Sequence, residues 1–124
     1  MPQEKSLKIL LVEDDMDIRE VMTLVLSLEG FSVTGLENGH NVLSQIDAER
    51  PDIVLLDAML GDMDGREICR LLKADPATSP IPVMIVSASH GFADPEEKPC
   101  GANDYLAKPF DIHELIARVR RLAA

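Results

Sequence analysis

The chain has 124 residues, of which 22 are acidic and 12 basic, giving a formal net charge of −10 with a hydrophobic fraction of 46%. This length suits one domain with a sizeable core, and the acidity argues against unaided nucleic-acid binding, which needs basic side chains to neutralise phosphates. No apolar stretch approaches the roughly 20 residues that span a bilayer, and no signal-peptide core is visible, so we expect a cytoplasmic protein with a flexible tail over 1–6 and one domain over 7–124.

The first part of the chain alternates apolar runs with helical patterns. Leu7 to Val12 is predicted as the first strand and Phe31 to Leu36 as the second. Between them, apolar residues recur at helical spacing, with Asp17 as the expected N-cap and Gly30 as the stop. A weaker second helix is predicted from a shorter apolar set, which consists of Val42, Leu43 and Ile46.

The central strand is predicted from the apolar run Ile53 to Leu56, which Asp57 follows directly. Such a run, rich in β-branched residues and bounded by turn residues, is typical of a parallel strand buried on both faces. A third helix follows, ended by Asp75-Pro76. Its apolar positions are Ile68, Cys69, Leu71 and Leu72.

The last part contains two strands and a helix. Ile81 to Val86 predicts a fourth strand that ends at Ser87, and Asp104 to Ala107 predicts a short fifth strand that ends at Lys108. Asp111 is the expected cap of an amphipathic final helix.

The segment between Ser89 and Gly101 departs from this alternation. The pattern calls for a fourth helix there, which Pro95 could begin, but Pro99 would end it within about one turn. We therefore expect either a plain loop or a shortened, irregular helix. Five strands alternating with helices predict an α/β fold, a doubly wound parallel sheet in the flavodoxin-like order 2-1-3-4-5.

Polar residues follow four of the predicted strands. Glu13 and Asp14 follow the first, Asp57 the third, Ser87 the fourth and Lys108 the fifth. In the order 2-1-3-4-5 the first and third strands are neighbours, so three carboxylates converge in one crevice. At an effective dielectric constant of about 20, two such charges about 4 Å apart repel by roughly 4 kcal/mol, which a bound cation would relieve. A set of oxygen ligands without His or Cys fits Mg²⁺.

A hydroxyl and an ammonium group are what a phosphoryl group needs as partners, so Ser87 and Lys108 complete a site for phosphoryl transfer to Asp57. Each residue alone has an ordinary structural explanation. Glu13 and Asp14 can begin a helix, where acids complement the dipole, while Ser87 can cap and Lys108 can be solvated. Their joint position at the strand ends favours the chemical interpretation.

Four motifs carry a resemblance to a known family. These are LLVEDD, VLLDAMLGDMDG, VMIVSA and GANDYLAKPF, followed by the last amphipathic helix. Over roughly Lys8 to Leu122, the chain resembles receiver domains of two-component response regulators. The resemblance implies that Asp57 accepts a phosphoryl group from a histidine kinase or a histidine phosphotransfer protein. It also implies that Asp14, Asp57 and the backbone carbonyl of Met59 bind Mg²⁺, with Glu13 assisting through water.

The same resemblance implies a conformational switch that responds to phosphorylation. Ser87 and Lys108 would hold the phosphoryl oxygens, and Tyr105 would change rotamer together with a movement of Ser87. The Lys108-Pro109 bond is commonly cis in the family. Two positions depart from the family pattern, since Gly61 stands where proline is frequent and serine replaces the commoner threonine at position 87.

Two other functions compete with this prediction. One is a protein-interaction module that keeps the pocket but does not switch, because Pro95 and Pro99 interrupt the segment that commonly forms the output surface. The other is a metal-dependent hydrolase, which the sequence disfavours because Met59, not an acid, stands two residues after Asp57. We therefore expect a domain that catalyses only its own phosphorylation and dephosphorylation, not a turnover enzyme. The cysteines at 69 and 100 form no CxxC pair, so free thiols are expected.

Overall fold

In the computed structural model the chain is described over residues 6–61, 63–87 and 100–123. Within these ranges five strands alternate with four helices. Their order is β1 (Lys8–Val12), α1 (Met16–Leu28), β2 (Ser32–Leu36), α2 (Val42–Glu49), β3 (Ile53–Asp57), α3 (Gly65–Ala74), β4 (Val83–Ser87), β5 (Asp104–Ala107) and α4 (Ile112–Ala123).

All five strands are parallel and form one sheet in the order β2-β1-β3-β4-β5, which confirms the predicted fold class. The register aligns the carboxyl ends of the inner strands. Val12, the last residue of β1, is opposite Leu56, and Asp57 is opposite Val86. The residues that follow these strands therefore meet at one edge of the sheet.

The core lies on both faces of the sheet. Every residue of β3 and of β4 is buried, because these inner strands are covered by helices on both sides. Alternate strand residues enter two apolar clusters, one with α2 and α3 and the other with α1 and α4. The first includes Leu10, Val54, Leu56, Ile68, Leu72 and Ile85. The second includes Ile9, Leu11, Met22, Leu55, Leu115 and Val119.

Two element boundaries differ from the sequence prediction by two residues, and several others differ by one. Asp15, not Asp17, is the N-cap of α1, since its side chain accepts a hydrogen bond from the Ile18 N–H at 3.1 Å. The prediction of Asp17 was wrong because Asp17 lies inside the first turn of α1, whereas Asp15 precedes the helix and has an extended backbone. β4 begins at Val83, not at Ile81. The Ile81 N–H bonds back to the Thr78 carbonyl, and the proline at 82 has no N–H to give to a sheet.

Other predicted ends are confirmed. Gly30 follows α1 with a φ of 95°, and the Asp111 side chain accepts a hydrogen bond from the His113 N–H at the start of α4. The loop or irregular helix predicted around Pro95 and Pro99 lies outside the described residues, as does most of the predicted 1–6 tail. Across the described ranges, no helix combines the length and apolar character needed to cross a membrane.

Candidate functional site

Asp57 ends the buried central strand and keeps its side chain almost fully enclosed, with 5% exposure. Both of its carboxylate oxygens have partners. Oδ1 accepts a hydrogen bond from the Met59 N–H at 2.8 Å, and Oδ2 accepts one from the Lys108 ammonium at 3.1 Å. The chain reversal after β3 and the end of β5 therefore fix the orientation of this carboxylate together.

The loop after β3 returns at once to pack against Asp57. Met59 and Asp64 form an isolated antiparallel bridge, and the Gly65 N–H donates to the Ala58 carbonyl at 2.9 Å. A Cβ added at Gly65 would lie 2.0 Å from the Asp57 carbonyl oxygen. Since real Cβ atoms do not approach backbone this closely, only glycine permits this contact between α3 and β3. The sequence prediction did not give Gly65 this function, although a capping aspartate before glycine at a helix start was a visible signal.

The structure brings Glu13, Asp14 and Asp57 together as an acidic cluster. Each offers a carboxylate oxygen, and these three oxygens lie within 4.8 Å of one another. Glu13 and Asp57 are buried, whereas Asp14 is exposed to solvent. Hard cations bind such oxygen-only sets, and a cation would relieve the repulsion among the carboxylates, so the residues present fit Mg²⁺. Their use as metal ligands stays a prediction.

Lys108 bridges two members of the acidic cluster. Its Nζ lies 2.6 Å from Glu13 Oε1 and 3.1 Å from Asp57 Oδ2. Burial lowers the pKa of Lys108, but the hydrogen bonds to the two carboxylates outweigh burial and raise it, so the ammonium stays charged. One positive charge thus contacts two of the three carboxyl groups of the cluster.

Glu13 has the most perturbed carboxyl group of the cluster. Burial raises the pKa of Glu13 from 4.5 to about 7; the Lys108 hydrogen bond opposes this rise, and the neighbouring Asp57 adds to it. Its other oxygen accepts a hydrogen bond from the Asp15 N–H, and its backbone carbonyl accepts one from the Arg19 guanidinium at 2.8 Å. Sequence reasoning did not identify Arg19, because nothing in its spacing marks a bond back to the end of β1.

Ser87 ends β4 beside this cluster and is fully buried. It is opposite Ala107, and its backbone carbonyl accepts a hydrogen bond from the Lys108 N–H at 2.9 Å. The Lys108-Pro109 bond is cis, as the resemblance implied. Ser87 and Lys108 therefore leave neighbouring strands at the same level as Asp57.

Tyr105 and Met59 lie at the margins of the site. Tyr105 is in β5, and its hydroxyl is 3.6 Å from the Cys100 sulfur, on the α2 and α3 side of the sheet. Burial, together with the Cys100 contact, raises the pKa of Tyr105 to about 12. The Met59 side chain is 60% exposed, and its backbone N–H holds Asp57. The ligand role of the Met59 carbonyl stays a prediction.

Comparisons with known proteins agree with this geometry. The sequence model of the response regulator receiver domain matches residues 9–120. The DNA-binding response regulator MtrA of Mycobacterium tuberculosis is 41% identical over 114 residues, which are 91% of this chain and 49% of MtrA. The response regulator MprA of Mycolicibacterium vanbaalenii is 38% identical over 116 residues, or 93% of this chain and 49% of MprA.

A solved structure of a receiver domain is also similar to this chain. The crystal structure of the signal receiver domain of a signal transduction histidine kinase from Syntrophus aciditrophicus matches with a TM-score of 0.86 and 30% identity, covering 95% of this chain and 90% of that one. The chain spans about half the length of the curated relatives it matches. The family match, which covers nearly all of the sequence and includes every residue of the acidic cluster, shows that the chain belongs to the response regulator receiver domains of two-component systems.

Proposed function

We propose that this receiver domain accepts a phosphoryl group on Asp57 from a phosphohistidine of a histidine kinase or a histidine phosphotransfer protein. The observation that carries the proposal is the placement of Asp57. Its carboxylate ends the buried central strand, contacts the Lys108 ammonium and lies beside two further carboxyl groups. A carboxylate fixed in this way can attack phosphorus, while the cation beside it neutralises charge on the phosphoryl oxygens.

In the transfer, the bond between phosphorus and the donor imidazole nitrogen breaks as the bond to an Asp57 oxygen forms. The product carries about −1.5 to −2 charge where Asp57 carried one. The Lys108 ammonium contacts Asp57, so it would follow the new charge, and Ser87 would add a hydrogen bond. A bound Mg²⁺ would supply charge neutralisation at the phosphoryl oxygens, held by Asp14, Asp57 and the Met59 carbonyl, with Glu13 acting through water.

The response to phosphorylation would pass through Ser87 and Tyr105. The pairing of β4 with β5 supports this coupling, because Ser87 is opposite Ala107 and Tyr105 is opposite Ile85. A shift of Ser87 or Lys108 toward a phosphoryl group therefore acts directly on the strand that carries Tyr105. We propose that this movement changes the affinity of a partner-binding surface, and that the domain modifies only itself and turns over no separate substrate.

We propose that the domain acts on a downstream protein or on a fused effector. MtrA is named a DNA-binding response regulator, and about half of its length lies outside the alignment. We propose that this 124-residue chain makes no direct nucleic-acid contact, since its net charge of −10 is unfavourable for binding phosphates. The non-switching alternative gains no support from the site, and Pro95 and Pro99, which motivated it, lie outside the described residues.

The test is labelling with a small acyl phosphate such as acetyl phosphate in the presence of Mg²⁺. We expect one phosphoryl group per chain, released by hydroxylamine as an acyl phosphate is. Asp57→Asn should abolish labelling. Asp47→Asn, the same change at an exposed aspartate of α2, should leave it unchanged and controls for the lost charge. Equal labelling of Asp57→Asn and the parent protein would show that Asp57 is not the acceptor.

A further inference from the structure

A pair of buried cysteines lies outside the acidic cluster. Cys69 is on the inner face of α3, and Cys100 precedes β5; they are 31 residues apart in sequence and are the two cysteines of the chain. Cys69 Sγ lies 3.4 Å from the Cys100 carbonyl oxygen, and the side chains of the two cysteines are close enough to interact. Both are reduced in the structure. We propose that Cys69 and Cys100 form an intramolecular disulfide when the protein meets a hydroperoxide, and that this bond ties α3 to the segment that enters β5.

The surroundings hold both sulfurs in place. Cys69 and Cys100 belong to the same apolar cluster, where α3 packs on the sheet. The chain after Cys100 is fixed by Asn103, whose N–H donates to the Val83 carbonyl at 2.8 Å and whose side chain accepts from the Val83 N–H at 3.0 Å. Because the Cys69 sulfur already contacts the backbone of Cys100 and both residues pack in one cluster, we expect bond formation to proceed by local side-chain rotation.

The contacts also give the two thiols different roles. The Cys69 thiol and the Tyr105 hydroxyl hydrogen-bond to the Cys100 sulfur and lower the pKa of the Cys100 thiol, although burial opposes them. The same contact with Cys100, together with burial, raises the pKa of Cys69. Since the thiolate is the reactive form, Cys100 is the attacking residue and Cys69 the resolving one. Cys100 keeps 4% exposure and is followed by the exposed Gly101, so a small oxidant has the shorter path to it.

The reaction balances with the hydroperoxide as the named oxidant. The Cys100 thiolate attacks one peroxide oxygen, the O–O bond breaks, and Cys100 becomes a sulfenic acid while hydrogen peroxide leaves one water after protonation. The Cys69 sulfur then attacks the sulfenic sulfur, the S–S bond forms and the S–OH bond breaks to give a second water. Two thiols lose two electrons and two protons, and the peroxide gains them.

Disulfide formation would alter the surroundings of Tyr105. Its hydroxyl lies 3.6 Å from the Cys100 sulfur, so conversion of that thiol to a disulfide changes its hydrogen-bonding partner. The chain has one tyrosine and no tryptophan, so intrinsic fluorescence reports on this position alone. The proposal does not depend on phosphorylation of Asp57.

The experiment treats the full 124-residue chain, at low concentration, with hydrogen peroxide, then denatures it and alkylates free thiols. We expect a mass loss of two hydrogen atoms, protection of both cysteines from alkylation, one cross-linked peptide containing both residues, and reversal by dithiothreitol. Tyrosine emission should change on oxidation and recover on reduction. In Cys69→Ala, dimedone should instead trap a sulfenic acid on Cys100, with no mass loss of two hydrogens.

Three results would overturn the proposal. Both cysteines could remain open to alkylation after treatment, disulfides could form only between two chains, or each sulfur could be oxidised separately to sulfinic or sulfonic acid. Peptide mapping of the parent protein decides among these outcomes even if an alanine variant fails to fold.

Discussion

Lys108 is the residue on which the electrostatics of the site depend, since it bridges Glu13 and Asp57 from the end of β5. We predict that Lys108→Ala lowers the free energy of unfolding of the metal-free protein by about 1–3 kcal/mol, because two buried carboxyl groups lose their cation. Urea unfolding in a chelator would measure it. Lys8→Ala, at the other end of the sheet, is the control and should change stability by less than about 1 kcal/mol. A loss as small as that of the control would show that the bridge is not stabilising.

Glu13 gives the site a pH dependence. The pKa of Glu13 is 4.5 when unperturbed and about 7 in the folded protein. Between these two pH values the folded state therefore holds a proton that the unfolded state has lost, and this proton uptake stabilises the fold. This contribution to stability is complete below about pH 4.5 and is lost as the pH rises through about 7. A divalent cation needs the carboxylate form, so cation binding should release this proton, and affinity should rise with pH by up to about tenfold per unit until it levels above about pH 7.

Calorimetric Mg²⁺ titrations at several pH values would check the Glu13 prediction. Glu13→Gln should flatten the pH profile, while Glu20→Gln, at an exposed position of α1, should leave it intact. An affinity in the parent protein that does not vary between about pH 5 and about pH 8 would contradict the assignment of a raised pKa to this residue.

At the scale of elements, the approach of α3 to β3 determines the position of Asp57. We predict that Gly65→Ala destabilises the protein by about 1–3 kcal/mol and reduces labelling of Asp57, because the added Cβ would meet the Asp57 carbonyl oxygen at 2.0 Å. Thermal unfolding and acyl phosphate labelling are the measurements. Gly61→Ala, in the loop that precedes α3, is the matched control, since its Cβ would meet Asp14 Oδ2 at an ordinary 3.8 Å. Equal effects of the two variants would refute this role for Gly65.

The elements also show what the sequence could predict. Apolar runs predicted all five strands, and the polar residues at their ends indicated that Asp57, Ser87 and Lys108 lie at one edge of the sheet, because a parallel sheet collects its strand ends there. Direct contacts between side chains were harder to predict from the sequence. Lys108 and Glu13 are 95 residues apart, and their 2.6 Å contact depends on how β5 and β1 end in three dimensions.

Local errors have a different origin. The predicted cap, Asp17, lies two residues from the observed one, Asp15, because the cap position depends on backbone conformation, which composition does not encode. The proximity of Cys69 and Cys100 was missed for a tertiary reason. α3 and the segment before β5 meet on one face of the sheet, and no motif records a contact over 31 residues.

At the scale of the whole molecule, the net charge of −10 makes the fold sensitive to cations. We predict that Mg²⁺ raises the free energy of unfolding by about 2.7 kcal/mol at a concentration about 100 times its Kd. Thermal unfolding with and without Mg²⁺ would test this, with a sodium salt at matched ionic strength to separate site binding from screening. Asp14→Asn should remove most of the increment. A stabilisation that survives in this variant would place the cation elsewhere.

The double bridge of Lys108 makes this lysine a resident counter-ion of the two buried carboxylates. A divalent cation entering the acidic cluster would have to compete with that ammonium, and a phosphoryl group on Asp57 would draw the same ammonium away. We therefore expect the two events to favour each other. By thermodynamic reciprocity, the factor by which phosphorylation tightens cation binding equals the factor by which the bound cation shifts the phosphotransfer equilibrium toward Asp57.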